Sequence, residues 1–288
     1  MAAMWLVAQL CLSLPAASLA QEAQDKKAQD KESSELASLR TQIDESIHWF
    51  KLSTVGADAV ALEPLAALRW DNNERGSELG LTLLYIGRGR AEAVCCIYPW
   101  TGQLVHDFGS LSRGPLEARR NGDVVWSPDK PGVEFRSIPD AGKPEETPAA
   151  RLRQMKSLAG RFRARLLGWK GNNSDRQELR MLPRQIYRYE KPTGTVTDGA
   201  VFAFVMGVDP EALLLVETVS AQDGPRWEYA FVRRTSGELE GRLDDKVVWT
   251  AERFPRNDDP KGVYRGFVQP LRTNVPESTA PDPRSTKP

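Results

Sequence analysis

Apolar residues change their spacing twice along this chain. Leu36, Leu39, Ile43, Ile47 and Phe50 recur at steps of three and four, the stripe that one helical face requires. Leu152, Met155, Ala159, Phe162 and Leu166 repeat that spacing further on, with Pro148 placed as a first-turn residue. After each stripe the period falls to two and turn residues separate short runs, as antiparallel strands require. The second series of strands is expected near Gln185–Tyr189, Ala200–Val205, Ala212–Val219, Arg226–Arg233, Glu238–Leu243 and Lys246–Arg253. Counterparts fall near Ala66–Trp70, Leu79–Ile86, Ala93–Tyr98, Gln103–Phe108, Pro115–Arg119 and Asp123–Ser127, and a further short strand is placed at Gly262–Val268.

The two series are related in sequence. Gly114-Pro-Leu-Glu-Ala-Arg-Arg-Asn-Gly-Asp-Val-Val-Trp126 recurs as Gly237-Glu-Leu-Glu-Gly-Arg-Leu-Asp-Asp-Lys-Val-Val-Trp249 with seven identities. Upstream, Pro64, Arg69, Gly80, Glu92 and Ala93 align without a gap to Pro183, Arg188, Gly199, Glu211 and Ala212. Self-similarity at this scale sets the architecture. It predicts an α+β fold of two tandem repeats, each a long helix followed by a five- or six-stranded antiparallel meander, with the helix covering the sheet face.

The ends add further segments. Residues 1–20 are apolar and finish Ser18-Leu19-Ala20 ahead of a polar run, the form of a signal peptide with a small-x-small cleavage site. Residues 21–34 read as a polar tether, 35–136 as repeat unit 1, 137–148 as a linker, 149–256 as repeat unit 2 and 257–288 as a Pro-rich, largely disordered tail. The expected product is exported, periplasmic or extracellular, with no membrane span after signal cleavage.

Composition narrows the partners. Among 288 residues, 39 basic side chains balance 39 acidic ones, which removes the electrostatic reason to propose nucleic acid or an anionic membrane surface. Cys95 and Cys96 are adjacent in an expected strand, point to opposite faces and imply no disulfide framework.

Candidate chemistry is thin. His48 and His106 are the only histidines, and no His, Cys, Asp or Glu cluster has ligand spacing, so no metal or cofactor is assigned. There is no Gly-x-Ser-x-Gly, and no catalytic residue is assigned. Asp198, Asp209, Glu211 and Glu217 are the carboxylates that would serve a hydrolase, although Asp198-Gly199 and Asp209-Pro210 read first as turn chemistry. Gly87-Arg88-Gly89-Arg90 lacks the following helix that a phosphate loop requires and reads as a hairpin turn. Arg151, Arg153, Lys156, Arg161, Arg163 and Arg165 read as a basic helix face suited, if functional, to an acidic partner. Arg69-Trp70-Asp71 and Arg188-Tyr189-Glu190 repeat the order basic, aromatic, acidic, which makes Arg69, Trp70, Arg188 and Tyr189 the ligand-binding candidates.

The stretch from Arg151-Leu-Arg-Gln-Met-Lys156 through Glu178-Leu-Arg-Met-Leu-Pro183, Tyr187-Arg-Tyr-Glu190 and Asp198-Gly-Ala-Val-Phe-Ala-Phe204 to Asp209-Pro-Glu-Ala-Leu-Leu-Leu215 resembles uncharacterised secreted proteins of planctomycete-type bacteria. The resemblance implies an exported bacterial protein and brings no activity, ligand or catalytic residue with it. Together these readings predict a non-catalytic binding or protein-interaction module, with a protein or small molecule as partner. The alternatives are a carrier of a small apolar ligand and a hydrolase using a carboxylate pair.

Overall fold

The computed structural model describes Lys26 and residues 33–72, 77–168, 175–253 and 258–272. It divides into two units, residues 1–41 and 42–288. Helix α1 (33–46) begins in the first; everything else described below belongs to the second. The expected signal segment 1–20, most of the tether 21–34 and residues 274–288 of the tail lie outside the described residues.

Among the described residues, seventeen strands and a helix follow α1. The first strands are β1 (Lys51–Thr54), β2 (Ala61–Asn72), β3 (Ser77–Gly87), β4 (Arg90–Trp100), β5 (Gln103–Ser110), β6 (Leu116–Arg120), β7 (Asp123–Trp126) and β8 (Arg136–Ser137). Helix α2 (Pro148–Ala159) precedes β9 (Phe162–Leu167), β10 (Arg176–Met181), β11 (Tyr187–Arg188), β12 (Val196–Met206) and β13 (Asp209–Val219). The last four strands are β14 (Arg226–Arg233), β15 (Glu238–Leu243), β16 (Lys246–Ala251) and β17 (Tyr264–Pro270).

These strands form two curled antiparallel sheets. One has the order β17-β5-β4-β3-β2-β1-β6-β7; the other runs β16-β15-β9-β10-β12-β13-β14-β8, with β11 beside β12. The fold is mostly β, so the expected α+β class with two long helices and meanders is corrected. Two observations explain the error. The final hairpin of each sheet, β6–β7 or β15–β16, does not extend a meander but returns to pair with the first strand, β1 or β9. Moreover, α2 stops at Gly160, and Phe162 and Leu166 lie in β9 rather than on the helix. Residues four apart share a face at period 3.6 and at period two alike, so Phe162 and Leu166 fit either element. The buried Ala164 between them shows that β9 has period two. In the same way α1 ends before Ile47, and Phe50 immediately precedes β1.

Helix α2 is capped as its sequence suggests. Thr147 accepts a hydrogen bond from the Ala150 amide at 3.2 Å, and Pro148 takes the first turn, where its missing N–H costs nothing. Its buried residues Met155, Leu158 and Ala159 pack in one cluster with Phe162, Phe202, Leu214, Tyr229 and Phe231 of the second sheet. The first sheet encloses its own core of Ile43, Phe50, Leu81, Leu83, Tyr85, Ile97, Phe108 and Trp126. A third cluster lies where the sheets meet back to back: Leu84, Val94 and Leu111 pack on Val201, Val205, Leu213, Leu215 and Val232.

This third layer explains why β12 and β13 are not alternating sequences. Phe202 and Phe204 point into their own sheet while Val201, Ala203 and Val205 point at the other, so the run 200–206 is apolar without interruption. Trp227, Tyr229 and Phe231 alternate along β14 and form its buried aromatic face.

His106 on β5 is buried, 5.3 Å from the Trp49 ring and 5.4 Å from Phe50, and its Nε2 has no hydrogen-bond partner among the described residues. Burial, assisted by the Arg120 charge, lowers its pKa to about 3. The unfolded chain therefore takes up the proton near pH 6.5 and the folded one only near pH 3, so stability falls as pH drops through that window, by about 1.4 kcal/mol per unit. Between pH 7.5 and 4.5, His106→Leu should lose on the order of 2–3 kcal/mol less than the unaltered protein, as read from urea unfolding at the two pH values. Equal losses in both would show that His106 is not the group responsible.

Candidate functional site

Side chains alternate across β13. Leu213 and Leu215 face the opposite sheet in the middle of the interface, and Glu211 and Glu217 face it at the two ends. A wholly buried carboxylate must be neutralised by partners at hydrogen-bond distance. The two ends differ in what surrounds the carboxylate.

At the Glu217 end the interface is closed by a charge network. Arg90 stands at the start of β4, after the tight turn at Arg88 and Gly89, both at positive φ. Its Nε donates to Glu217 Oε1 at 2.8 Å, Nη1 to Glu92 Oε2 at 2.8 Å and to the Ala91 carbonyl, and Nη2 to the Leu111 carbonyl. Tyr189 donates its hydroxyl to Glu217 Oε1 at 2.6 Å. Arg113 donates to Glu217 Oε2 and to Glu228 Oε2, both at 2.8 Å, and stacks 3.6 Å above the Phe135 ring. Burial alone would lower the Arg90 pKa, but Tyr189, Glu217 and Glu92 more than reverse this. Burial also works against the Glu228 carboxylate, yet its bonds from Arg113 and Arg226 hold it below the usual range. The network engages all three nitrogens of the Arg90 guanidinium and is therefore structural.

At the Glu211 end a pocket of about 390 Å3 opens between the sheets. Trp70, Cys96, Tyr98, Trp100, Asp107 and Tyr264 come from the first sheet. The second contributes Leu166 and Leu167 of β9, Asp209 to Glu211 of β13 and the turn of residues 234–237, with Arg253 beyond β16. Trp100 is 45% exposed and marks the mouth. Deep inside, Arg234 is buried: Nη2 donates to the Asp107 carbonyl at 2.5 Å, its charge lies 5.5 Å from the Tyr264 ring centroid, and Nε and Nη1 have no hydrogen-bond partner among the described residues. Burial pushes the Cys96 thiol up, and the guanidinium of Arg234 draws it part of the way back. Tyr98 donates its hydroxyl to Asp107 Oδ2 at 2.6 Å.

The four ligand candidates from the sequence are not brought together. Trp70 lies at the pocket and donates to Thr82 Oγ1 at 3.1 Å, whereas Tyr189 is locked into the Arg90 network at the opposite end. Each ring covers a glycine across the strand pair. A Cβ at Gly80 would stand 2.5 Å from the Trp70 ring, and one at Gly199 would stand 2.5 Å from the Tyr189 ring, which is why both positions lack a side chain. Arg69 pairs with Asp44 at the surface, and Arg188 and Arg151 share Asp198 at 2.5 and 2.7 Å.

The basic run does not form one helical face. Arg161, Arg163 and Arg165 follow α2, and Arg161 pairs with Asp244 and Arg165 with Glu178. Of the four carboxylates, Asp198 and Glu217 are held by arginines, while Asp209 and Glu211 do meet at the pocket. Sequence reasoning missed Arg90, Arg234 and Trp100. Arg90 and Trp100 stand at the two ends of the apolar strand β4, which was their visible sign; Arg234, just past β14, carries none.

Among the described residues, no group of three or more His, Cys, Asp or Glu is placed to hold a metal ion, and no helix is long and apolar enough to cross a membrane. Compared with known proteins, the chain matches no family model, no curated protein and no solved structure.

Removing one partner from the closed end strands a buried charge. Glu217→Gln should destabilise by about 3–5 kcal/mol. With Arg90→Met and Glu217→Leu as the single changes, the double variant should lose less than their sum, because neither member of the buried pair then faces the absence of the other. Urea denaturation of the four proteins in a double-mutant cycle measures the difference; additive losses would mean that the pair is not coupled.

Proposed function

We propose that this chain is an exported, non-catalytic binding protein whose ligand site is the pocket between the two sheets. The single observation behind the reading is the contrast between the two ends of the interface. One is sealed by a guanidinium with all three nitrogens engaged, while the other holds a space of about 390 Å3 with an exposed indole at its mouth. Small-molecule sites are concave, few and largely preformed, and this space falls within their usual range of about 300–1,000 Å3.

The lining bears on the alternatives. Asp107, Asp209, Glu211, Arg234 and Arg253 are a poor match for an apolar ligand, because burying charges against hydrocarbon is costly. A protein partner docking on a basic helix face loses its main support, since Arg151, Arg161 and Arg165 are paired within the fold. A hydrolase is the second reading, favoured by one observation: Asp107, Asp209 and Glu211 line the same pocket.

A thermal-shift screen of the purified chain against a library of small polar and apolar compounds tests the proposal. A ligand at 100 times its Kd should stabilise by about 2.7 kcal/mol. Ser236→Trp, on the exposed turn at the pocket, should remove that gain while leaving the melting temperature without ligand unchanged. Stabilisation that persists in the variant would place the ligand elsewhere and overturn the assignment.

A further inference from the structure

We infer that the pocket takes the end of a neutral saccharide; this rests on the pocket being the ligand site. Trp100 and Tyr98 are two residues apart on β4 and share a face. The Tyr98 ring lies 5.9 Å from that of Trp70, so the three aromatics line one wall from the mouth inwards. A wide, rigid indole left 45% exposed at the lip of a polar pocket offers a flat apolar surface. The C–H face of a pyranose ring is its natural counterpart.

The remaining wall supplies what the hydroxyl edge of a sugar needs. Asp209, Glu211, Arg253, Thr235 and Ser236 bring planar acceptors, planar donors and hydroxyls to one space. A carboxylate has about four acceptor sites, so it can accept from a sugar hydroxyl beside bonds within the protein. A guanidinium carries five donors, and among the described residues Arg253 donates to the Gly168 carbonyl at 2.8 Å. A sugar hydroxyl both donates and accepts, which suits a lining with groups of each kind. The mixture of signs also selects against other occupants. A strong anion meets three carboxylates and a strong cation meets two arginines, whereas a neutral polyol meets no unbalanced charge.

The full chain is applied to an array of immobilised gluco-, manno-, xylo- and chito-oligosaccharides, and the strongest soluble hit is titrated by calorimetry. The expected result is binding of a neutral oligosaccharide, weakened at least about tenfold in Trp100→Ala and absent in Ser236→Trp, with both variants folded by circular dichroism. A blank array, beside a library compound that stabilises the chain and is blocked by Ser236→Trp, would overturn the saccharide and keep the pocket as the ligand site. Saccharide binding unchanged in both variants would overturn the saccharide's placement and the pocket reading together. A blank array with a blank library would do the same. Release of shorter sugars from the hit would retain the saccharide and replace the non-catalytic reading with a hydrolase.

Discussion

A carboxylate with no access to water must be neutralised where it lies, and Glu217 is wholly buried between two sheets. That constraint holds the rest together. The central strands β12 and β13 already face their own core on one side, so their outer faces must pair with the first sheet or be covered by nothing. Leucines and valines meet in the middle of the contact. At one end Glu217 draws in Arg90 and Arg113 from the first sheet's half of the chain and Tyr189 from its own, which fixes how the two curled sheets are set against each other. Hydrophobic contact alone is non-directional. The ion network is the directional part of the contact.

The opposite end carries different side chains. Leu111 donates its amide to the Glu92 carbonyl, and Arg234 donates its amide to the Glu211 carbonyl, just after β5 and β14 respectively. One of these positions therefore contributes a leucine to the apolar layer and the other a guanidinium to a pocket. Trp70 over Gly80 and Tyr189 over Gly199 are paired in the same way, yet the tyrosine hydroxyl reaches Glu217 while the indole stops at Thr82. Closure at one end and a cavity at the other thus go with which side chain each end carries. Function is then a property of the site and not of the sheets.

Much of the strand pattern is legible in the order of residues. Runs such as 226–233 and 238–243 coincide with β14 and β15, because alternation and turn residues mark a strand by local chemistry alone. The end of α2 is not legible, since Phe162 and Leu166 satisfy both periods and only the pairing of β9 with β10 and β15 decides between them. The candidate site is legible only in fragments. Trp70 stands out in the sequence and does line the pocket, and Asp209 and Glu211 are carboxylates that do meet there. Arg90 reads as part of a turn, and Arg234 carries no local signal, because the need for a buried arginine arises only from groups on strands distant in sequence.

By itself, the sequence determined where many of the strands lie, β12 to β16 among them, because period and propensity act between near neighbours. It also determined the first turn of α2 at Pro148 and the hairpin at Arg88 and Gly89, each a matter of a few consecutive residues. Tertiary structure alone decided that the closing hairpins return to the first strands, that Glu217 and Arg90 meet across 127 positions, and that the other end stays open. The physical reason is that hydrogen bonding and burial between distant strands depend on which faces meet, and no local pattern encodes that meeting.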